Sequence, residues 1–234
     1  MKILRSNKYL IAFIGLLFTF VSLRAQTAEE IIQKLKTKLE KVHDYEASGK
    51  MKTNVAFIKA PVATIKVYFK RPDRFRIVNE SGISFIPKGS VNISLDNIFA
   101  NPGAFDIIDA GRDSSGLRII KMLPKEDTSD IVLSTLYVDD RNMLVEKTKT
   151  TTRENGSYEL EMSYGAYSEY GLPDKIIFSF NVKDYKLPKG LTLDYDDDTK
   201  KNEEKIKNKR GTVQITYTGY RINEGIAGKV FDRG

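Results

Sequence analysis

One arginine stands where a ligand or a moving segment could be gripped. In Val62-Ala63-Thr64-Ile65-Lys66-Val67-Tyr68-Phe69-Lys70-Arg71-Pro72-Asp73-Arg74-Phe75-Arg76-Ile77-Val78, period-two alternation puts Ile65, Val67, Phe69 and Arg71 on one face of a strand. Lys66, Tyr68 and Lys70 share the other face. A guanidinium closing an apolar row can donate several hydrogen bonds in a fixed fork. It suits the polar head of an apolar ligand, or the carbonyls of a lid that closes over the row; the plainer alternative is an edge arginine paired with a surface acid. Bond-making chemistry has much less to work with. The chain has no Cys and a single His, His43, so a zinc site, a Cys nucleophile and a Ser-His-Asp triad are all poorly supported. His43 follows a helical stretch, where it complements the helix dipole. Asp194, Asp196, Asp197 and Asp198 lack the glycine and distal glutamate of a calcium loop, and residues 82–89 have no phosphate-loop pattern. The sequence argues against an enzyme and assigns no catalytic residue, no metal and no cofactor.

The elements that must position Arg71 are one helix and many strands. Residues 27–42 read as a helix, with Thr27 as N-cap and Glu30 completing a capping box. Ile31, Leu35, Leu39 and Val42 form its apolar stripe, and Lys34, Lys36, Lys38 and Lys41 face outward. Alternating strands are expected over residues 45–59, 62–70, 74–78, 117–123, 131–138, 143–151, 158–167, 174–182 and 212–222. Turn chemistry separates them at Asp139-Asp140-Arg141-Asn142, Glu154-Asn155-Gly156, Tyr170-Gly171-Leu172-Pro173 and Leu187-Pro188-Lys189-Gly190. One-faced strands joined by short turns make a meandering antiparallel sheet that is dry on one side. Two stretches break the rhythm. Residues 79–116 are Gly-rich with apolar patches and read as a lid, or as a loop packed on its own side chains. Residues 194–210 are a charge run expected in a solvated loop.

Residues 1–25 read as an export signal: Lys2, Arg5 and Lys8 precede the apolar residues 9–21, and cleavage is expected near Ala25-Gln26. The apolar run is short of the roughly 20 residues a membrane-spanning helix needs. The net charge of +7 includes Lys2, Arg5, Lys8 and Arg24 from this leader and no leader acid, so removing those four leaves +3. That is too mild, and too evenly mixed with acids, for nucleic-acid binding. Removing 25 residues from 234 leaves 209, the size of one β domain, expected over residues 26–234.

With these features in view the chain resembles the LolA/LolB-like periplasmic lipoprotein carriers. The resemblance covers most of residues 27–195. It rests on Ala28-Glu29-Glu30-Ile31-Ile32-Gln33-Lys34-Leu35, on Val67-Tyr68-Phe69-Lys70-Arg71-Pro72-Asp73-Arg74-Phe75-Arg76 and on Leu172-Pro173-Asp174-Lys175-Ile176-Ile177-Phe178-Ser179-Phe180. The chain departs from that family in having no Trp and in carrying a further strand at residues 212–222. The resemblance implies a mainly β fold, an incomplete antiparallel β-barrel covered by the N-terminal helix and a loop or short-helix lid. It also implies that Arg71 matches the arginine that holds the lid, that Phe75 matches a cavity aromatic, and that an inner-membrane release complex and an outer-membrane acceptor are partners.

The expected function is that of a monomeric periplasmic carrier or chaperone that binds the acyl chains of lipoproteins, or another lipid, in an apolar cavity and ferries them towards the outer membrane. The alternative is an envelope sensor that uses the same half-barrel to recognise a lipid or protein, with residues 212–222 free to extend a partner's sheet. The cavity-facing set expected from parity is Val67, Phe69, Phe75, Ile77, Phe85, Leu160, Met162 and Phe178, with Arg71 at the mouth.

Overall fold

The computed structural model describes residues 26–55, 61–82, 99, 101–154, 156–181 and 210–232. The expected leader, Phe85 and residues 194–209 of the charge run lie outside them. Helix α1 spans Ala28–Leu39 and opens on the expected box: the Thr27 hydroxyl accepts from the Glu30 amide at 3.2 Å, and the Glu30 carboxylate accepts from the Thr27 amide at 3.4 Å. Ile31, Ile32 and Leu35 are buried, while Leu39 is half-covered and Val42 is buried just beyond the helix. Lys38 does not point freely outward, because its ammonium donates to the Asn142 carbonyl at 2.6 Å.

Ten antiparallel strands follow: β1 (Asp44–Asn54), β2 (Ala63–Lys70), β3 (Arg74–Ser81), β4 (Phe105–Arg112), β5 (Arg118–Pro124), β6 (Ile131–Asp139), β7 (Leu144–Thr152), β8 (Ser157–Ser163), β9 (Lys175–Asn181) and β10 (Arg210–Ile222). They form one curved, open sheet in the order β3-β2-β1-β10-β9-β8-β7-β6-β5-β4. Its two margins, β3 and β4, are not paired with each other. In β2 the residues Ala63, Ile65, Val67 and Phe69 are buried and their neighbours are not, so parity located the inner face correctly. The same holds for Leu160 and Met162 in β8; in β9 Ile176, Phe178 and Phe180 are buried, and Ser179 of the other parity is buried with them. These residues and the α1 stripe form one continuous apolar core.

Two expectations change. Within residues 79–116, residues 79–81 finish β3, Pro102–Ala104 is a 3₁₀ turn and residues 105–112 are the marginal strand β4. Pairing explains that strand: Phe105 and Ile107 lie opposite Pro124 and Met122 on the inner face, and Asp106 and Ile108 take the other. Residues 83–98 and residue 100 lie outside the described residues, so the lid reading is left with Phe99, which is buried. The strand expected at residues 212–222 begins at Arg210 and is not an addition at an edge. It lies in mid-sheet between β1 and β9, with β1 along its length to Ile222 and β9 along Arg210–Thr216. Over Arg210–Thr216 it therefore has no edge to offer a partner's sheet.

Candidate functional site

The sheet leaves an apolar inner face, and α1 lies across one end of it. On one side Phe69 stands directly opposite Phe75, and Val67 opposite Ile77. Val67 and Phe69 are buried, and Phe75 and Ile77 are half-buried beside the open margin. The Phe69 ring stacks on Tyr45, with centroids 5.3 Å apart. On the other side Leu160 stands opposite Phe178, and Met162 opposite Ile176. The two groups are joined across mid-sheet by a row of paired residues that runs Ala63, Met51, Ile215, Ile176, Met162. Seven of the eight expected apolar residues are thus on one face of one sheet, and Phe85 lies outside the described residues. The five residues of β2, β8 and β9 are packed core.

Arg71 follows the last residue of β2, in the turn to β3, where the Arg71-Pro72 peptide is cis. Its Nε donates to the Val42 carbonyl and its Nη2 to the Leu39 carbonyl, both at 2.7 Å. Its own amide donates to the His43 carbonyl at 2.9 Å, and its guanidinium carbon lies 5.8 Å from the centre of the Phe69 ring. The last carbonyls of a helix have no partners within it and carry the negative pole of its dipole. Arg71 adds a bond to the Leu39 carbonyl, which also accepts from the Val42 amide, and partners the Val42 carbonyl just beyond the helix. Arg71 thus ties the turn after β2 to the C-terminal end of α1.

The other end of α1 has a counterpart that sequence reading missed. Arg118, the first residue of β5, donates from Nη2 to the Gln26 carbonyl at 3.2 Å, just ahead of the helix. Arg118 is itself held by Asp109 of β4, with its Nε 3.0 Å from Oδ1 and a second bond from Nη2 to Oδ2. This pair holds the Asp109 carboxyl below the usual carboxylate range. β2 and β5 are the next-to-last strands at the two margins of the sheet. A 12-residue helix is about 18 Å long, so α1 is a bar fastened by one arginine at each end across the open barrel.

Beneath the C-terminal end of the bar lies a cluster of tyrosines. Tyr220 packs against Tyr45, Tyr167 and Tyr217 with centroids 5.4, 4.9 and 5.0 Å away, and donates to the Pro173 carbonyl at 2.6 Å. Tyr164 donates to the Val145 carbonyl at 2.7 Å. Burial pushes the hydroxyls of Tyr164, Tyr217 and Tyr220 well above the usual tyrosine value. Asn223 ties the joint after α1, accepting from the His43 amide at 2.7 Å and donating to the Lys41 carbonyl at 2.7 Å. Farther along the inner face is a polar stripe on β6 and β7. The Ser134 and Thr150 hydroxyls are 2.7 Å apart, and the fully buried Thr148 Oγ1 has no hydrogen-bond partner among the described residues.

Comparison with solved structures decides what this architecture is. A domain of an outer membrane lipoprotein-sorting protein from Vibrio parahaemolyticus superposes with a TM-score of 0.56 at 10% identity, over 88% of this chain and 97% of that one. A LolA superfamily protein from Nitrosomonas europaea gives 0.54 at 10% identity, over 89% and 99%. The fold is LolA-like. A DUF1329 family protein from Desulfovibrio piger shares this LolA-like architecture, with a TM-score of 0.52 at 12% identity over 89% and 98% of the two chains. No family model matches the sequence, and no curated protein matches it. The LolA-like half-barrel here is thus carried by a sequence about nine-tenths different from each of these structures.

The missed residues differ in how visible they were. Thr148, Thr150 and Thr152 recur at period two beside the inner-face Val145, and that repeat was readable as an inner-face polar row. Arg118 and Asn223 act through backbone atoms 92 and 180 residues away. No local pattern announces them.

Proposed function

We propose that this protein is a carrier or chaperone of the cell envelope that takes up acyl chains, of lipoproteins or of another lipid, against the inner face of its half-barrel. The observation that carries the reading is the arginine-fastened bar over an apolar face. Burying Ile31, Ile32 and Leu35 stabilises the closed form by about 1.5–3 kcal/mol each, and the arginine ties add to that. A sixteen-carbon acyl chain gains roughly 12 kcal/mol on leaving water. The two quantities are of the same order. Cargo can therefore displace the bar, and the bar can displace cargo when an acceptor draws it away.

In this reading Val67, Phe69, Phe75, Ile77, Leu160, Met162 and Phe178, with Phe85, contact the acyl chain once α1 lifts, and Arg71 holds the empty state shut. Arg71 is the residue whose bonds are remade on each cycle. Export to the periplasm, a donor complex in the inner membrane and an acceptor at the outer membrane complete the proposal.

The test is native mass spectrometry of the protein purified without detergent from the envelope of its own cell, followed by addition of a purified acylated lipoprotein. A species heavier by a lipid or an acylated protein is expected. A bare mass that stays bare after the addition would overturn the proposal.

A further inference from the structure

The inner face of a half-barrel built only to hide hydrocarbon has no use for unpaired hydroxyls, yet β7 presents Thr148, Thr150 and Thr152 there in alternation. Two of the three are partnered. Thr150 stands between Ser134 and Tyr158 in the sheet, and its hydroxyl is bonded to that of Ser134 at 2.7 Å. Thr152 Oγ1 donates to the Gly156 carbonyl at 3.1 Å. Thr148 is different. It is fully buried, has Leu136 on one side and Leu160 on the other, and leaves its Oγ1 unbonded.

A buried hydroxyl without a partner forfeits its bonds to water and gains nothing in return. Strand preference does not account for it, since valine suits a strand equally well and carries no polar atom. We infer that Thr148 is a recognition point for a carbonyl in the cargo, so that the protein selects ester- or amide-linked acyl chains over bare or ether-linked hydrocarbon. The inference rests on the carrier reading and specifies its ligand. Thr148 lies about 10 Å along β7 from Val145, and Val145 borders the same crevice as Leu35 and Leu39 of α1. The carbonyl is thereby placed inside the half-barrel, beyond the bar, and the aliphatic tail meets the Leu136, Leu160 and Phe178 row. The hydroxyl donates to the carbonyl oxygen, and no covalent step is involved.

The experiment compares two probes: a synthetic cysteinyl lipopeptide with two ester-linked acyl chains, and its twin with ether linkages of equal length. Wild type should bind the ester probe about three- to tenfold more tightly, the worth of one buried hydrogen bond. Thr148→Val should bring that ratio to about one, and Thr148→Ser should restore it. Thr148→Ala serves as a second hydroxyl-free variant should valine disturb the fold, which a melting curve reports. A wild-type ratio near one, or a Thr148→Val ratio equal to wild type, overturns the inference while leaving the carrier reading in place. Binding of neither probe by wild type overturns both.

Discussion

Replacing Arg71 by methionine removes the fork and keeps much of the apolar stem. The structure sets the size of the effect. Two hydrogen bonds from a charged donor, both at 2.7 Å, would be worth about 1.5–3 kcal/mol each if fully buried. Arg71 is only half-buried, and solvent screening brings the pair down to about 2–4 kcal/mol. If this energy holds the end of α1, its loss should raise the local opening of that end by roughly 30- to 1000-fold. Native-state hydrogen exchange reads this directly. The amides of Glu40, Lys41 and Val42 donate to Lys36, Lys38 and Leu39 in the last turn and should lose protection by that factor. Amides in the middle of β9 and β10 should change far less. Arg71→Lys, with a charge and no fork, should fall between. A variant that melts earlier everywhere while these three amides keep their relative protection would refute the bar, and would make Arg71 an ordinary contributor to stability.

Two further outcomes follow from the packing. A Cβ at Gly49, where β10 bulges by one residue against β1, would lie 2.8 Å from the Thr216 carbonyl oxygen and 3.4 Å from Tyr217 Cα. These are backbone atoms of a central strand that cannot turn aside, so Gly49→Ala should cost about 1–3 kcal/mol and lower the melting temperature by roughly 3–10 °C. An unchanged melting temperature would show that the bulge relaxes freely. Tyr164, Tyr217 and Tyr220 are neutral in the folded protein, with values raised by burial above that of the unfolded chain, about 10. Their contribution to stability is complete below about pH 10 and is lost as pH rises above it. On alkaline titration, tyrosinate absorbance from these three of the 12 tyrosines should appear together with loss of the β circular dichroism signal. Ionisation of all 12 near pH 10 with the fold intact would contradict their burial.

The inner face was legible because the buried apolar residues of β2, β8 and β9 recur at every second position, the side-chain period of a strand. The capping box made the start of α1 equally plain. β4 escaped because Phe105 and Ile107 occupy only part of an exposed marginal strand, and the glycines around it resemble those of a loop. The position of β10 was not readable at all. Its alternation specifies a strand with one buried face, and nothing in that pattern names β1 and β9 as neighbours. At the site, Arg71 was visible because it broke an apolar row, whereas Arg118 sits at a turn where an arginine is unremarked. Its meaning comes from Gln26, brought close only by the closed fold.

The place of β10 also fixes an order of events in folding. β1 to β3 form one antiparallel block and β4 to β9 another, and within the sheet the two are joined by a strand that begins at residue 210. As the chain is made, the N-terminal block must wait for about 155 further residues before its inner edge is covered, counting from the end of β1 at Asn54 to Arg210. Pairing over such a separation is slow, and an uncovered strand edge recruits other chains. A chain that lacks β10 would hold two unjoined sheets, each with its apolar face and one edge exposed. The topology itself thus leaves a strand edge open until residue 210 has been made.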